Sequence, residues 1–209
     1  MLVVSMATEL VLRLLAPPRC AACDQSLPHD SIFCAACAAT VVLLPRAYTD
    51  AAIAAAVYGG AVAAAIVRFK YSGRTDLARP LAHLMLPLTA KLAVDVVVPV
   101  PLHGDRLRER GYNQAALLAR PVAERLRRPF APLALGRLRE TAAQASLSAC
   151  ERRSNVADAF SVRQPRAVAG KRVLLVDDVR TTGATLAACA TPLVAAGAKH
   201  VHFLTVAQA

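Results

Sequence analysis

The chain has no tryptophan, four tyrosines and five phenylalanines in 209 residues. It also lacks any run of about 18 uncharged apolar residues, the length a membrane-spanning helix needs. Its 56% hydrophobic content is carried largely by alanine and valine, and reads as the small-residue packing of a core rather than as membrane character. So few aromatic rings leave little for stacking unpaired bases, so any binding of single-stranded nucleic acid is expected to be mainly electrostatic. Acidic residues are scarce too: 14 Asp and Glu face 25 Lys and Arg, a net charge of +11. From Val96 to Arg172 there are 15 basic and 6 acidic residues, so this stretch holds +9 of the total and either meets an anion or forms a solvated basic face. The opening MLVVSMATELVLRLL lacks the basic start of a signal peptide and is broken by Glu9 and Arg13, which fits an amphipathic docking helix. The expected location is therefore the cytoplasm, where the six cysteines are not expected to form disulfides.

Four stretches separate along the chain. Residues 1–44 hold the apolar segment and a cysteine cluster, with Pro45 to Asp50 as a linker to a domain expected over 51–209. From Ala51 an apolar stretch ends at Tyr58, Gly59 and Gly60 break it, and Val62, Ile66, Val67 and Phe69 recur with helical period until Ser72 and Gly73. Thr75 is placed to cap a further helix toward Lys91, kinked or delayed by Pro80 and Pro87. Val94 to Val100 is β-branched almost throughout, as a strand buried on both faces requires, and it stops at Pro101. A loop over His103 to Gly111 leads to a helix from about Asn113 to Arg127 and then to an Arg-rich connection. In that connection Ser148 and Glu151 have capping-box spacing, suiting a short helix over Ala149 to Arg153. Last come a strand over Arg172 to Val176, a polar loop to Thr185, a helix over Leu186 to Ala196 closed by Gly197, and a strand over His200 to Val206. This is a βαβ unit, and the alternation of strands with helices predicts an α/β fold with an open, mainly parallel sheet whose ligand crevice lies beyond the carboxyl ends of the strands.

Two clusters carry chemistry. Cys20-x₂-Cys23 and Cys34-x₂-Cys37 have the spacing of two knuckles that close a tetrahedron around structural Zn²⁺; redox activity of the CxxC pairs is the alternative. His29 is not needed as a ligand, and Cys150 and Cys189 read as packing or surface residues. The string VLLVDDVRTTGAT puts Asp177 and Asp178 at the end of a buried strand, where carboxylates are costly to desolvate. Thr181, Thr182, Gly183, Ala184 and Thr185 follow at a helix N-terminus, where amides, hydroxyls and the helix dipole favour an anion and Gly183 permits a positive φ. An acidic pair able to hold a diol, followed by a phosphate-binding turn, suits a ribose 5-phosphate.

This string resembles the phosphoribosyl diphosphate signature of the type I phosphoribosyltransferases. With the cysteines, the segments FKYSGRTDLARPLA, DVVVPVPLHGDRLRERGYNQAALLA and TAAQASLSACERRSNVADAF are similar to the ComF/GntX family of competence-associated phosphoribosyltransferase-like proteins, over nearly the whole chain. The resemblance implies a type I phosphoribosyltransferase fold with a small N-terminal four-cysteine zinc module. It implies Asp177 and Asp178 on the ribose hydroxyls, and Arg180 with Thr181 to Thr185 around the 5′-phosphate. It assigns Pro101 to Gly104, with Leu102 and His103, to the diphosphate, followed by Arg106, Arg108 and Arg110 on a mobile loop whose guanidiniums suit phosphate oxygens. Lys70 is placed near the diphosphate or else simply complements a helix dipole. Gln144, Arg152 and Arg153 belong to a lid or a polyanion patch, and Asn155 is equally suited to ending a helix.

Mg²⁺ is the expected cofactor alongside Zn²⁺. One departure stands out: purine-salvage enzymes of the type I family carry an Asp, proposed as general base, where this chain has Thr181. Two functions follow. Either the protein transfers a phosphoribosyl group to an unidentified nucleophile, or it is a non-catalytic accessory of DNA uptake that senses phosphoribosyl diphosphate or engages single-stranded DNA and competence proteins.

Overall fold

The computed structural model describes residues 18–28, 31–45, 52–138 and 159–209. In chain order the strands are β1 (Ala52–Val57), β2 (Val96–Pro99), β3 (Leu135–Arg137), β4 (Phe160–Val162), β5 (Arg172–Arg180) and β6 (His200–Gln208). The α-helices are α1 (Ala35–Ala38), α2 (Gly60–Tyr71), α3 (Ala78–Met85), α4 (Gly104–Arg110), α5 (Gln114–Leu126), α6 (Pro165–Val168) and α7 (Ala184–Ala195). Four strands form one sheet in the order β1-β6-β5-β2, and every pairing in it is parallel. All four carboxyl ends therefore open on one edge.

Side chains alternate across β5, so the sheet serves two cores. Leu174 and Val176 join Val97, Leu204 and Val206 beneath Ile66 and Phe69 of α2, Leu81 of α3 and Leu118 of α5. Val173 and Leu175 join Val98 and the α7 residues Leu186, Cys189 and Leu193 on the other face. Cys20, Ala21, Leu27, Phe33 and Cys34 belong to the first of these cores.

The expected β-branched strand and βαβ unit are present, with several corrections. β5 runs on through Asp177 and Asp178 to Arg180, because β6 continues to Gln208 and stays in register with Asp177, Val179 and Arg180. α7 starts at Ala184, and Gly197 (φ 88°) follows its C-cap, Ala196. The stretch over His103 to Gly111 is not a loop. It holds α4, started where the His103 side chain accepts from the Asp105 amide and stopped by Gly111 at φ 81°. Thr75 does not cap a helix; it opens a 3₁₀ turn (Thr75–Leu77) before α3, and a second 3₁₀ turn (Leu86–Thr89) takes up Pro87. The Arg-rich connection contributes β3 and β4, which pair antiparallel. The readings on residues 1–15, His29, Pro45 to Asp50 beyond Pro45, Gln144, Ser148 to Arg153, Cys150 and Asn155 lie outside the described residues.

Candidate functional site

Asp177 and Asp178 are neighbours on a strand, so their side chains leave opposite faces of the sheet. Asp178 turns toward α2, where Lys70 Nζ lies 2.9 Å from its Oδ1. Asp177 turns toward α7, and its Oδ1 accepts from the Asp178 amide at 2.9 Å. They are 9% and 3% exposed, yet both line a cavity of about 200 Å³ at the carboxyl edge of the sheet. Burial, reinforced by the charge of Asp178, pushes the Asp177 carboxyl up to about 8. Asp178 Oδ2 is buried without a hydrogen-bond partner among the described residues. A buried carboxylate oxygen left bare in this way is costly in a protein interior unless something else approaches it.

The cavity gathers Lys70, Leu102, Arg106, Arg110, Asp177, Asp178 and Thr185 from the residues singled out in the sequence. A second cavity of about 280 Å³ adjoins it and shares Lys70, Tyr71, Arg106 and Arg110. His103 lines neither, capping α4 and lining an adjoining cleft with Arg108 and Arg163 that shares Pro101, Leu102 and Arg137 with the first cavity. The Arg180 guanidinium donates to Gln208 Oε1 at the end of β6 and does not line the cavity. Thr181, Thr182 and Gly183 form the turn before α7; Thr182 Oγ1 accepts from the Ala184 amide at 3.3 Å and Gly183 takes φ 78°. Such a turn leaves first-turn amides directed out of the helix end.

Tyr71, Gln114 and Arg137 also line the cavity; the first two fall within the family-like segments but carry no assigned role there. Gln114 is a buried polar residue at the first position of α5, accepting from Arg110 at 2.6 Å. The Arg110 guanidinium lies 5.1 Å from the centre of the Tyr71 ring, a cation–π contact that aims it across the cavity mouth. Arg137 lies over Phe160 at 5.4 Å, so a strand pair far away in sequence delivers another cation. The signal for Gln114 was the buried side of an amphipathic helix; Arg137 had none.

The four cysteines meet as their spacing predicts. Their sulfurs all lie within 4.8 Å of one another, and Cys23 Sγ and Cys34 Sγ are 3.8 Å apart. A tetrahedron of sulfurs about 2.3 Å from a central zinc has edges of about 3.8 Å, so the donor set fits that ion. Burial acts to raise the Cys20 thiol, but the backbone amides of Cys34, Cys23 and Ala22 together bring it down to about 6. Cys37 is pushed up to about 12, first by its contact with Cys34 and then by burial. Four sulfurs this close cannot all ionise without a cation between them.

The family described as "Phosphoribosyl transferase domain" matches residues 113–209. The chain is 33% identical over 189 residues to the DNA utilization protein YhgH of Escherichia coli O157:H7, covering 87% of this chain and 80% of that one. It is 33% identical over 177 residues to competence protein F of Haemophilus influenzae, covering 81% of this chain and 75% of that one. Among solved structures, a glutamine phosphoribosylpyrophosphate amidotransferase from B. subtilis, complexed with ADP and GMP, aligns at a TM-score of 0.41 and 27% identity. The alignment covers 64% of this chain and 26% of the amidotransferase, about a quarter of its length. Among the described residues no helix is long and apolar enough to cross a membrane.

Proposed function

The chain belongs to the ComF/GntX family of phosphoribosyltransferase-like proteins, and from that premise we propose that its strand-end cavity binds phosphoribosyl diphosphate with Mg²⁺ and transfers the phosphoribosyl group to a nucleophile in the service of DNA uptake or utilisation. The observation that carries this reading is the under-compensated acid pair. Asp177 and Asp178 line the cavity, Asp178 Oδ2 has no partner among the described residues, and Lys70, Arg106, Arg110 and Arg137 line it too. Ribose hydroxyls are donors of the right kind for such oxygens, and the α7 turn with Gly183 and Thr185 suits the 5′-phosphate. Lys70, Arg106 and Arg110 are positioned to take the diphosphate.

Transfer breaks the bond from ribose C1 to the diphosphate oxygen and forms one from C1 to the nucleophile, through an oxocarbenium-like transition state. The side chains contribute by orientation and by charge placed where the diphosphate leaves. Mg²⁺, held mainly by ligand oxygens and water, would supply further neutralisation of that leaving group. Thr181 cannot accept a proton at neutral pH, so the nucleophile either loses its proton elsewhere or needs no base. The test is diphosphate release from phosphoribosyl diphosphate and Mg²⁺ across a panel of nucleobases. Release with one of them supports transfer, and inertness of a protein that binds the ligand removes it.

A second reading keeps the ligand and drops the reaction: an accessory that senses phosphoribosyl diphosphate or binds single-stranded DNA. The Thr181 position and the net charge of +11 favour it. Gel shifts with single-stranded DNA should then weaken steeply as salt rises, and no shift at low salt discards DNA binding.

A further inference from the structure

The cysteine cluster and the cavity meet through one helix. α2 carries Lys70 in its last turn, facing Asp178 at 2.9 Å. Two residues earlier, Arg68 donates to Asp24 Oδ2 and, at 3.2 Å, to the Ala21 carbonyl. Just beyond the helix, Arg74 donates to Asp24 Oδ1 at 2.5 Å while Asp76 holds its other nitrogens at 2.9 and 2.8 Å. The opposite end of α2 is held too. The Ala61 amide donates to Thr40 Oγ1 at 2.9 Å, three residues after Cys37, and Gly60 lies so close that a Cβ there would be 2.6 Å from that hydroxyl. The segment bearing the four cysteines thus grips α2 at both ends.

Asp24 follows Cys23 directly and sits at φ 63°, its amide donating to the Cys20 carbonyl at 3.0 Å. That left-handed conformation is uncommon outside Gly, Asn and Asp, so the turn closing the first cysteine pair also aims the carboxylate. Neither Asp24, Arg68 nor Arg74 lines either cavity at the acid pair. The last turn of a helix is where fraying begins, and a ligand-contacting side chain there needs a support that holds it within about 0.5 Å. A carboxylate bracketing Lys70 through residues 68 and 74 is such a support.

We propose that Asp24 is a positioning residue for Lys70, so that metal occupancy of the cysteine knuckle and ligand binding at Asp178 are coupled. By linkage the coupling is reciprocal: whatever factor the metal adds to ligand affinity, the ligand adds to metal retention. The affinity arm of this inference rests on the phosphoribosyl reading above; the helix clamp does not.

The test uses the full zinc-loaded chain and its Asp24→Asn variant, in which Asn tolerates the same backbone conformation and removes only the charge. Zinc content and a cooperative melt check that the variant is folded. Two results are expected: ligand-free hydrogen exchange of the Phe69 to Gly73 amides accelerates about tenfold while the β5 amides keep their protection, and affinity for phosphoribosyl diphosphate with Mg²⁺ drops about tenfold. Saturating phosphoribosyl diphosphate should also slow chelator-driven zinc loss from the wild-type chain. Arg74→Gln, which alters no knuckle residue, should reproduce both results even where Asp24→Asn sheds its zinc. Unchanged exchange, or changed exchange with unchanged affinity, overturns the proposal. If the wild-type chain binds no phosphoribosyl diphosphate, the functional reading falls and the exchange arm alone decides the clamp.

Discussion

The two ends of the same strand treat carboxylates in opposite ways. Where β5 begins, Asp95 accepts from the Arg172 amide at 2.9 Å and from its guanidinium at 2.9 and 2.7 Å, and that pairing holds the carboxyl well below its usual range. Toward the end of β5, consecutive residues send carboxylates to opposite faces of the sheet, one pushed up to about 8 by burial and its neighbour's charge, the other with an oxygen left bare. The first arrangement satisfies itself and joins β5 to the start of β2. The second is incomplete as a purely structural feature, since burying charge without full compensation is unfavourable. That contrast is what makes the carboxyl edge of the sheet the candidate site.

The contrast can be broken most forcefully by replacing Asp177 and Asp178 with Asn together. Losing the acid pair should weaken phosphoribosyl diphosphate binding by about 100-fold or more, without lowering the ligand-free melting temperature. Equilibrium dialysis and a thermal melt check this, and retained affinity would make the acid pair structural after all. Next in size is Lys70→Met, which leaves the buried Asp178 without its cation and should cost about 3 kcal/mol in urea unfolding. The same change in an Asp178→Asn background should cost less than about 1 kcal/mol; equal losses in both would show that the pairing carries none of the effect.

Stability should depend on pH with opposite signs at the two ends of β5. Asp177 has a folded pKa near 8 against an unfolded value of 3.8, so the native state binds more protons between them. Its contribution therefore favours folding at low pH and declines as pH rises toward about 8, a slope that Asp177→Asn should remove from urea midpoints measured across that window. Asp95 has the opposite sign. Its depressed pKa gives stability present above the unfolded value of 3.8 and lost as pH falls below it. Asp95→Asn should give the smallest effect, confined to pH above the unfolded value and invisible in ligand affinity, because the pair is half-exposed to solvent and lies at the other end of the strand.

Much of this edge was legible because its signals are local. Cysteine spacing brought the four sulfurs together, and the β-branched runs marked strands covered on both faces. What escaped reading depended on distant partners or on side chains without a pattern. DRLRER shows no apolar stripe, so α4 was invisible except through its ends, His103 and Gly111. β3 and β4 are three residues each and exist only through pairing across more than twenty residues, and with them went the placement of Arg137. Charges at Asp177 and Asp178 looked like the end of a strand, yet β6 extends the ladder past them. The clamp on α2 was hidden for a similar reason: no pattern marks Asp24, and its partners lie 44 and 50 positions away.

In the proposed function, the acid pair near the end of β5 holds the hydroxyls of a sugar whose phosphate rests at the start of α7. Calorimetric titration of the wild-type chain with ribose 5-phosphate and with 2-deoxyribose 5-phosphate isolates it, because only one hydroxyl differs. Ribose 5-phosphate should bind at least about tenfold more tightly, the worth of one hydrogen bond to a charged acceptor. Equal affinity for the two sugars would contradict the account.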